Sequence, residues 1–126
     1  EGVGFEIRMG EGLESVQVDP LKIRRVLDNL FRNAIEAMPH GGKIAVAAVR
    51  SDGKVTLEVS DSGKGIPPEI VGRLFRPFST TKTGGLGLGL TYCKKAVEDH
   101  GGSIMARNAE GGGAVFTIRL PAPRVE

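Results

Sequence analysis

DPLKIRRVLDNLFRNAIEAMPHGG, running from Asp19 to Gly42, is the segment on which the architecture turns. Asp19 can accept from the free N–H groups of a first helical turn, and Pro20 suits that turn because its missing N–H forfeits no bond there. Ile23, Leu27, Leu30, Ala34 and Met38 then recur at three- and four-residue steps, which puts them on one helical face. Pro39-His40-Gly41-Gly42 stops the pattern, so the spacing predicts one long amphipathic helix. A helix with a single apolar stripe needs a second layer to cover it, and the flanking sequence supplies strands.

Upstream, Phe5 to Met9 and Ser15 to Val18 alternate apolar and polar residues around Gly10-Glu11-Gly12, which predicts two short strands joined by a turn. Downstream, the β-rich runs Lys43 to Arg50 and Lys54 to Ser60 flank Ser51-Asp52-Gly53, the composition of a hairpin turn, with Val55, Leu57 and Val59 on one face. A second pair, Ser103 to Asn108 and Ala114 to Leu120, follows Gly101-Gly102 and closes around the turn Glu110 to Gly113. Between the hairpins come a helix start at Pro67-Pro68 running toward Leu74, a loop from Pro77 to Gly87, and a helix from about Leu88 to Asp99. The elements predict an α+β sandwich in which an antiparallel-rich sheet lies under helices.

At 126 residues, with 40% apolar and 25% charged content, the chain suits one domain spanning 1–126, with one core. Seventeen Lys and Arg against fifteen Asp and Glu leave a net charge of +2, which gives no footing for a nucleic-acid partner. Cys93 stands alone, so neither an internal disulfide nor a cysteine-based zinc site is expected, and a reducing cytoplasm is the simplest location. No apolar run approaches the roughly 20 residues of a spanning helix. The expectation is therefore a soluble piece without direct membrane contact. The ending in Pro121-Ala122-Pro123 reads as a domain cut from a larger chain.

Four constellations can carry chemistry. Asn29 and Asn33 lie four apart on the long helix, hence on one face beside the apolar stripe. Their amide oxygens are hard neutral ligands suited to magnesium already partly held by phosphate; equally, they read as two solvated residues on the wet face. Asp61-Ser62-Gly63-Lys64-Gly65 leaves a strand with a carboxylate able to accept from an exocyclic amine, or it is simply a turn. Gly84-Gly85-Leu86-Gly87-Leu88-Gly89-Leu90 opens a helix, where bare N–H groups and the positive helix end suit phosphates. No Gly-Lys-Ser/Thr follows it, so it is not a Walker loop. Phe75-Arg76-Pro77-Phe78-Ser79-Thr80-Thr81-Lys82 sets two anchoring aromatics before hydroxyls and a lysine able to reach terminal phosphates. His40, in a turn, and His100, at a helix end, read as structural.

Taken in order, Asn29-x-x-x-Asn33, Asp61-x-Gly63-x-Gly65, Phe75-x-Pro77-Phe78-x-x-Thr81-Lys82, Gly85-x-Gly87-Leu88-Gly89-Leu90 and the Gly111-Gly112-Gly113 turn before Phe116 resemble the boxes of histidine-kinase catalytic domains. The match runs from about Val18 to Pro121, and Asn33-Ala34-Ile35-Glu36-Ala37-Met38-Pro39 with Gly41-Gly42 is similar to the nitrogen-regulation and oxygen-sensing branch. The resemblance implies a two-layer α/β sandwich of the Bergerat kind: a mixed, mostly antiparallel sheet with three helices on one face. It implies ATP and Mg2+, with Asn29 and Asn33 at metal and phosphate, Asp61 at adenine with Gly63 and Gly65 around the base, and Ile66 also among the nucleotide-binding residues. By the same resemblance Gly85, Gly87 and Gly89 hold the phosphates, Leu86 and Leu88 are nucleotide-binding with them, and Thr81 and catalytic Lys82 belong to a short lid.

The implied activity is transfer of the γ-phosphoryl group to a histidine on a separate dimerisation domain, with a response-regulator receiver domain downstream and the isolated piece monomeric. The full protein could be membrane-anchored. Two positions depart from the pattern: Leu86 stands where the family usually has Thr or Ser, and Ala114 where it often has Thr, so two hydroxyls near the nucleotide are missing. Three alternatives stand beside this reading. A gyrase- or chaperone-like ATPase would use a glutamate four residues before its metal-binding asparagine, where this chain has Asn29, which cannot accept a proton. A serine-kinase anti-sigma factor shares the fold but not the Phe75 to Lys82 segment. The third is a non-catalytic nucleotide-binding module.

Overall fold

The computed structural model describes residues 2–10, 18–76 and 86–121, and for 86–88 the backbone alone. Helix α1 spans Pro20–Glu36, and Asp19 caps it by accepting from the N–H groups of Leu21 and Lys22 at 3.1 and 3.2 Å. Leu30, Ala34 and, just past the helix, Met38 are buried, as the periodicity requires, while Ile23 and Leu27 pack against the core from its flanks. The periodic set omits Val26, which is fully buried. Its carbonyl receives the Cys93 thiol at 3.7 Å, so a neighbouring helix covers a position that the sheet-facing stripe does not include.

Five strands form one sheet in the order β1-β2-β3-β5-β4: β1 Val3–Met9, β2 Gly42–Ser51, β3 Lys54–Asp61, β4 Ser103–Asn108 and β5 Ala114–Pro121. Strands β2 and β3 close as predicted, Ser51 opposite Lys54, with Asp52 and Gly53 both at positive φ, the signature of a two-residue type I′ turn. β4 and β5 form the second hairpin, and β3 pairs with β5 in antiparallel fashion.

Strand β1 corrects one expectation. It pairs in parallel with β2, Val3 opposite Gly42. Parallel neighbours need a long crossover, and α1 lies within the one between them. Residues 15–17 of the expected second strand lie outside the described residues, and Val18 is not in a strand.

Helix α2 is a single turn, Pro68–Val71, and α3 runs Leu86–Asp99. α3 thus begins two residues before the expected Leu88, with Gly87 and Gly89 inside it despite glycine's poor helix propensity, and Gly89 lies close against Asn29 of α1. The two long helices run antiparallel, since Asp19 meets His100, Val26 meets Cys93 and Asn29 meets Gly89. All three helices cover the same side of the sheet: Leu30, Ile70 and Val97 share one core with the alternating strand residues Ile44, Val59, Ile104, Phe116 and Ile118. Among the described residues no helix is long and apolar enough to cross a membrane.

Candidate functional site

Asn29, Asn33 and Ala37 recur every fourth residue and form one stripe along α1 and its C-cap. At one end of that stripe lies α3. A Cβ built on Gly89 would stand 2.9 Å from Asn29 Oδ1, so glycine lets the asparagine amide come against the helix start. Four residues along, burial pushes the Cys93 thiol up to about 11, while the Asn29 amide, hydrogen-bonded to it, acts in the opposite direction. Asn29 is therefore wedged between the first and second turns of α3.

At the other end lies the segment that leaves β3. A Cβ on Gly63 would meet the Ala37 carbonyl oxygen at 2.5 Å, and the Lys64 N–H donates to that same oxygen at 3.2 Å. The Ser62 hydroxyl accepts from Lys43 N–H at 3.0 Å, and Ser62 N–H donates to Lys43 O at 3.1 Å, which ties the loop to the start of β2. Asp61 Oδ1 accepts from Gly63 N–H at 2.8 Å and from Ala114 N–H at 3.4 Å. One carboxylate oxygen thus holds the loop in shape, and a carboxylate retains acceptor capacity on its other oxygen. Gly65 takes a φ of +81°, and beyond it both backbone groups of Ile66 are bonded by the Asn108 carboxamide.

From Asn29 to Ala37 the helix rises about 12 Å. That is comparable to the reach of an extended nucleoside triphosphate, with a helix N-terminus at one end and a fixed carboxylate at the other. Asn29 and Asn33 are half-buried, so neither fits the fully solvated alternative. Among the described residues no group of three or more His, Cys, Asp and Glu gathers as a self-sufficient metal site would. Two neutral amide oxygens suit magnesium that brings phosphate oxygens with it.

The segment that ends the described stretch at residue 76 is anchored through Phe75 on two sides. The Phe75 ring stands edge-on to Phe116, centroids 6.2 Å apart, and the Phe75 carbonyl accepts from the Thr91 hydroxyl at 3.1 Å. Phe78, Thr81, Lys82, Gly84 and Gly85 lie outside the described residues, and Leu86, Gly87 and Leu88 are described only as helical backbone. Sequence reasoning missed Asn108 and the Ala37 carbonyl. A strand-end asparagine looks like turn composition, and a backbone oxygen has no sequence signal at all.

The family model for histidine kinase-, DNA gyrase B-, and HSP90-like ATPases matches residues 18–124, and the chain belongs to that family. The sensor histidine kinase ZraS of Salmonella typhimurium is 46% identical over 112 residues, 88% of this chain and 24% of the relative, so the chain spans about a quarter of that kinase. The solved catalytic domain of histidine kinase ThkA superposes with a TM-score of 0.80 at 41% identity, covering 94% of this chain and 80% of that one. ThkA has also been solved in complex with the response regulator protein TrrA; that structure matches with a TM-score of 0.74 at 36% identity over 94% of this chain and 34% of that one. Full-length ShkA, solved in complex with AMPPNP, matches with a TM-score of 0.80 at 28% identity over 96% of this chain and 26% of its own. Within the family, this chain is of the histidine-kinase catalytic-domain type.

Proposed function

We propose that the chain, as one domain over 1–126, binds ATP with Mg2+ along α1 and passes the γ-phosphoryl group to a histidine on a separate dimerisation domain. The observation that carries this is the α1 stripe of Asn29, Asn33 and Ala37, which joins the start of α3 to the loop at Asp61. In this reading Asp61 accepts from the adenine amine, and Gly63, Gly65 and Ile66 line the base. The N–H groups opening α3, those of Leu86, Gly87, Leu88 and Gly89, serve the phosphates together with Gly85, and Thr81 and Lys82 act at the same end of the nucleotide. Asn29 and Asn33 would hold the metal, which would supply charge neutralisation of the triphosphate.

The acceptor imidazole nitrogen forms a bond to the γ-phosphorus as the bond to the bridging oxygen breaks. ADP leaves, and the imidazole proton goes to a base beside the acceptor. The chain's task is positioning, which suits a site built of amides and backbone. Leu86 and Ala114 each remove a hydroxyl, and a missing hydrogen bond is worth about 0.5–1.5 kcal/mol, so nucleotide affinity is expected to be modest. Onward transfer to a response-regulator receiver domain and a cytoplasmic location belong to the same reading, supported by the ThkA–TrrA complex and by the sensor-kinase relatives.

Mixing the chain with a separately made histidine-bearing dimerisation domain, ATP and magnesium should place an acid-labile, base-stable phosphate on the partner. Asn33→Ala should abolish transfer while leaving magnesium-free nucleotide binding largely intact. Tight ATP binding by the unaltered chain with no transfer would instead make it a passive nucleotide module.

A further inference from the structure

Asn108 ends β4, and its carboxamide engages both backbone groups of Ile66: Oδ1 accepts the N–H at 2.7 Å and Nδ2 donates to the carbonyl at 2.9 Å. A side chain that takes the donor and the acceptor of one residue together acts like a length of adjacent strand, fixing that peptide in two directions. Aspartate lacks the donor and glutamine is one methylene too long. The approach also requires Gly65, because a Cβ there would stand 2.7 Å from Asn108 Oδ1. Opposite Asn108 in the register is Ala114, whose N–H reaches Asp61 Oδ1. The mouth of one hairpin therefore holds both ends of the segment Asp61 to Ile66.

Asn108 is exposed, so its two bonds add little to global stability. Their effect falls instead on the shape of the segment they hold. We infer that Asn108 is a positioning residue for base recognition: through Ile66 it sets the loop against which a purine lies, and it sharpens the preference for adenine over guanine. This rests on the proposed nucleotide reading of the same site.

The test uses the 126-residue chain with ATP and GTP as calorimetric probes, alongside thermal melting and amide exchange at Ile66. Asn108→Ala should weaken ATP binding about 5- to 30-fold, the range expected for one or two kcal/mol. GTP binding should weaken less, so that the ATP-to-GTP ratio falls; Ile66 exchange should rise, and the melting temperature should barely change. Asn108→Asp, which keeps the acceptor, should lie between. Equal losses for both nucleotides, a collapse in melting temperature, or no loss at all would overturn the inference. Asp61→Asn separates the two levels: if it weakens ATP binding and Asn108→Ala does not, the positioning role alone fails. If neither variant changes ATP binding, or the unaltered chain binds neither nucleotide, the site reading fails with it.

Discussion

At the scale of single residues, Gly89 separates what favours folding from what favours the site. Glycine inside a helix is about 1 kcal/mol worse than alanine, yet here a Cβ would press on the Asn29 amide oxygen at 2.9 Å. The obstructed atom is the end of a side chain, which can swing aside. Gly89→Ala should therefore leave the melting temperature unchanged or raise it slightly, while the magnesium-dependent part of ATP affinity falls by about tenfold or less, as the loss of one ligand-quality contact suggests. Titrating nucleotide with and without magnesium checks this. A lower melting temperature with unchanged magnesium dependence would mean that Asn29 has no part in holding the ion.

At the scale of elements, the antiparallel pair α1 and α3 is fastened at the end remote from the glycines. His100 Nδ1 lies 2.7 Å from the Ala96 carbonyl, and its Nε2 accepts the Asp19 N–H at 3.0 Å. The carbonyl partner assigns the ring proton to Nδ1, so a neutral imidazole joins the close of α3 to the cap of α1. Arg25 over the Tyr92 ring, 4.1 Å from its centroid, ties the pair again about two turns further along. His100→Ala removes an acceptor that links positions 81 residues apart, together with the donor to the Ala96 carbonyl, and should cost about 1–2 kcal/mol of unfolding free energy in a denaturant titration. His100→Gln, which can donate and accept, should recover part of it. Nucleotide affinity of the folded fraction should not move, because the clip lies at the opposite end of the helices from Asn29.

At the scale of the whole molecule, Cys93 reports on the core. It is fully buried among residues of α1 and α3, and burial pushes its thiol up to about 11. The reactive species is the thiolate, so alkylation near pH 8 should proceed only through opening of the core, and its rate should follow denaturant as global unfolding does. A folded-state value above the unfolded one favours the protonated thiol in the native state. Its stabilising contribution is complete below the unfolded value and declines as pH rises from about 9 toward 11. The alkaline fall in melting temperature should accordingly be shallower in Cys93→Ala than in the unaltered chain. Identical alkaline profiles would show that the thiol does not titrate in the fold.

Whatever depends on near neighbours could be read directly from the order of residues. The Asp19-Pro20 cap, the buried spacing of Leu30, Ala34 and Met38, and the Asp52-Gly53 turn are all set within a few residues, where backbone sterics and side-chain period decide. The order of the asparagine, aspartate and glycine boxes was legible for the same reason, and with it the family. Tertiary contacts alone set the parallel seat of β1 against β2, the entry of Gly87 into α3, the buried place of Val26, and the hold of Asn108 on Ile66. Each of these is a hydrogen bond or a contact between residues far apart in the chain, 42 positions in the last case, and a local pattern carries no information about which distant backbone group will arrive beside it.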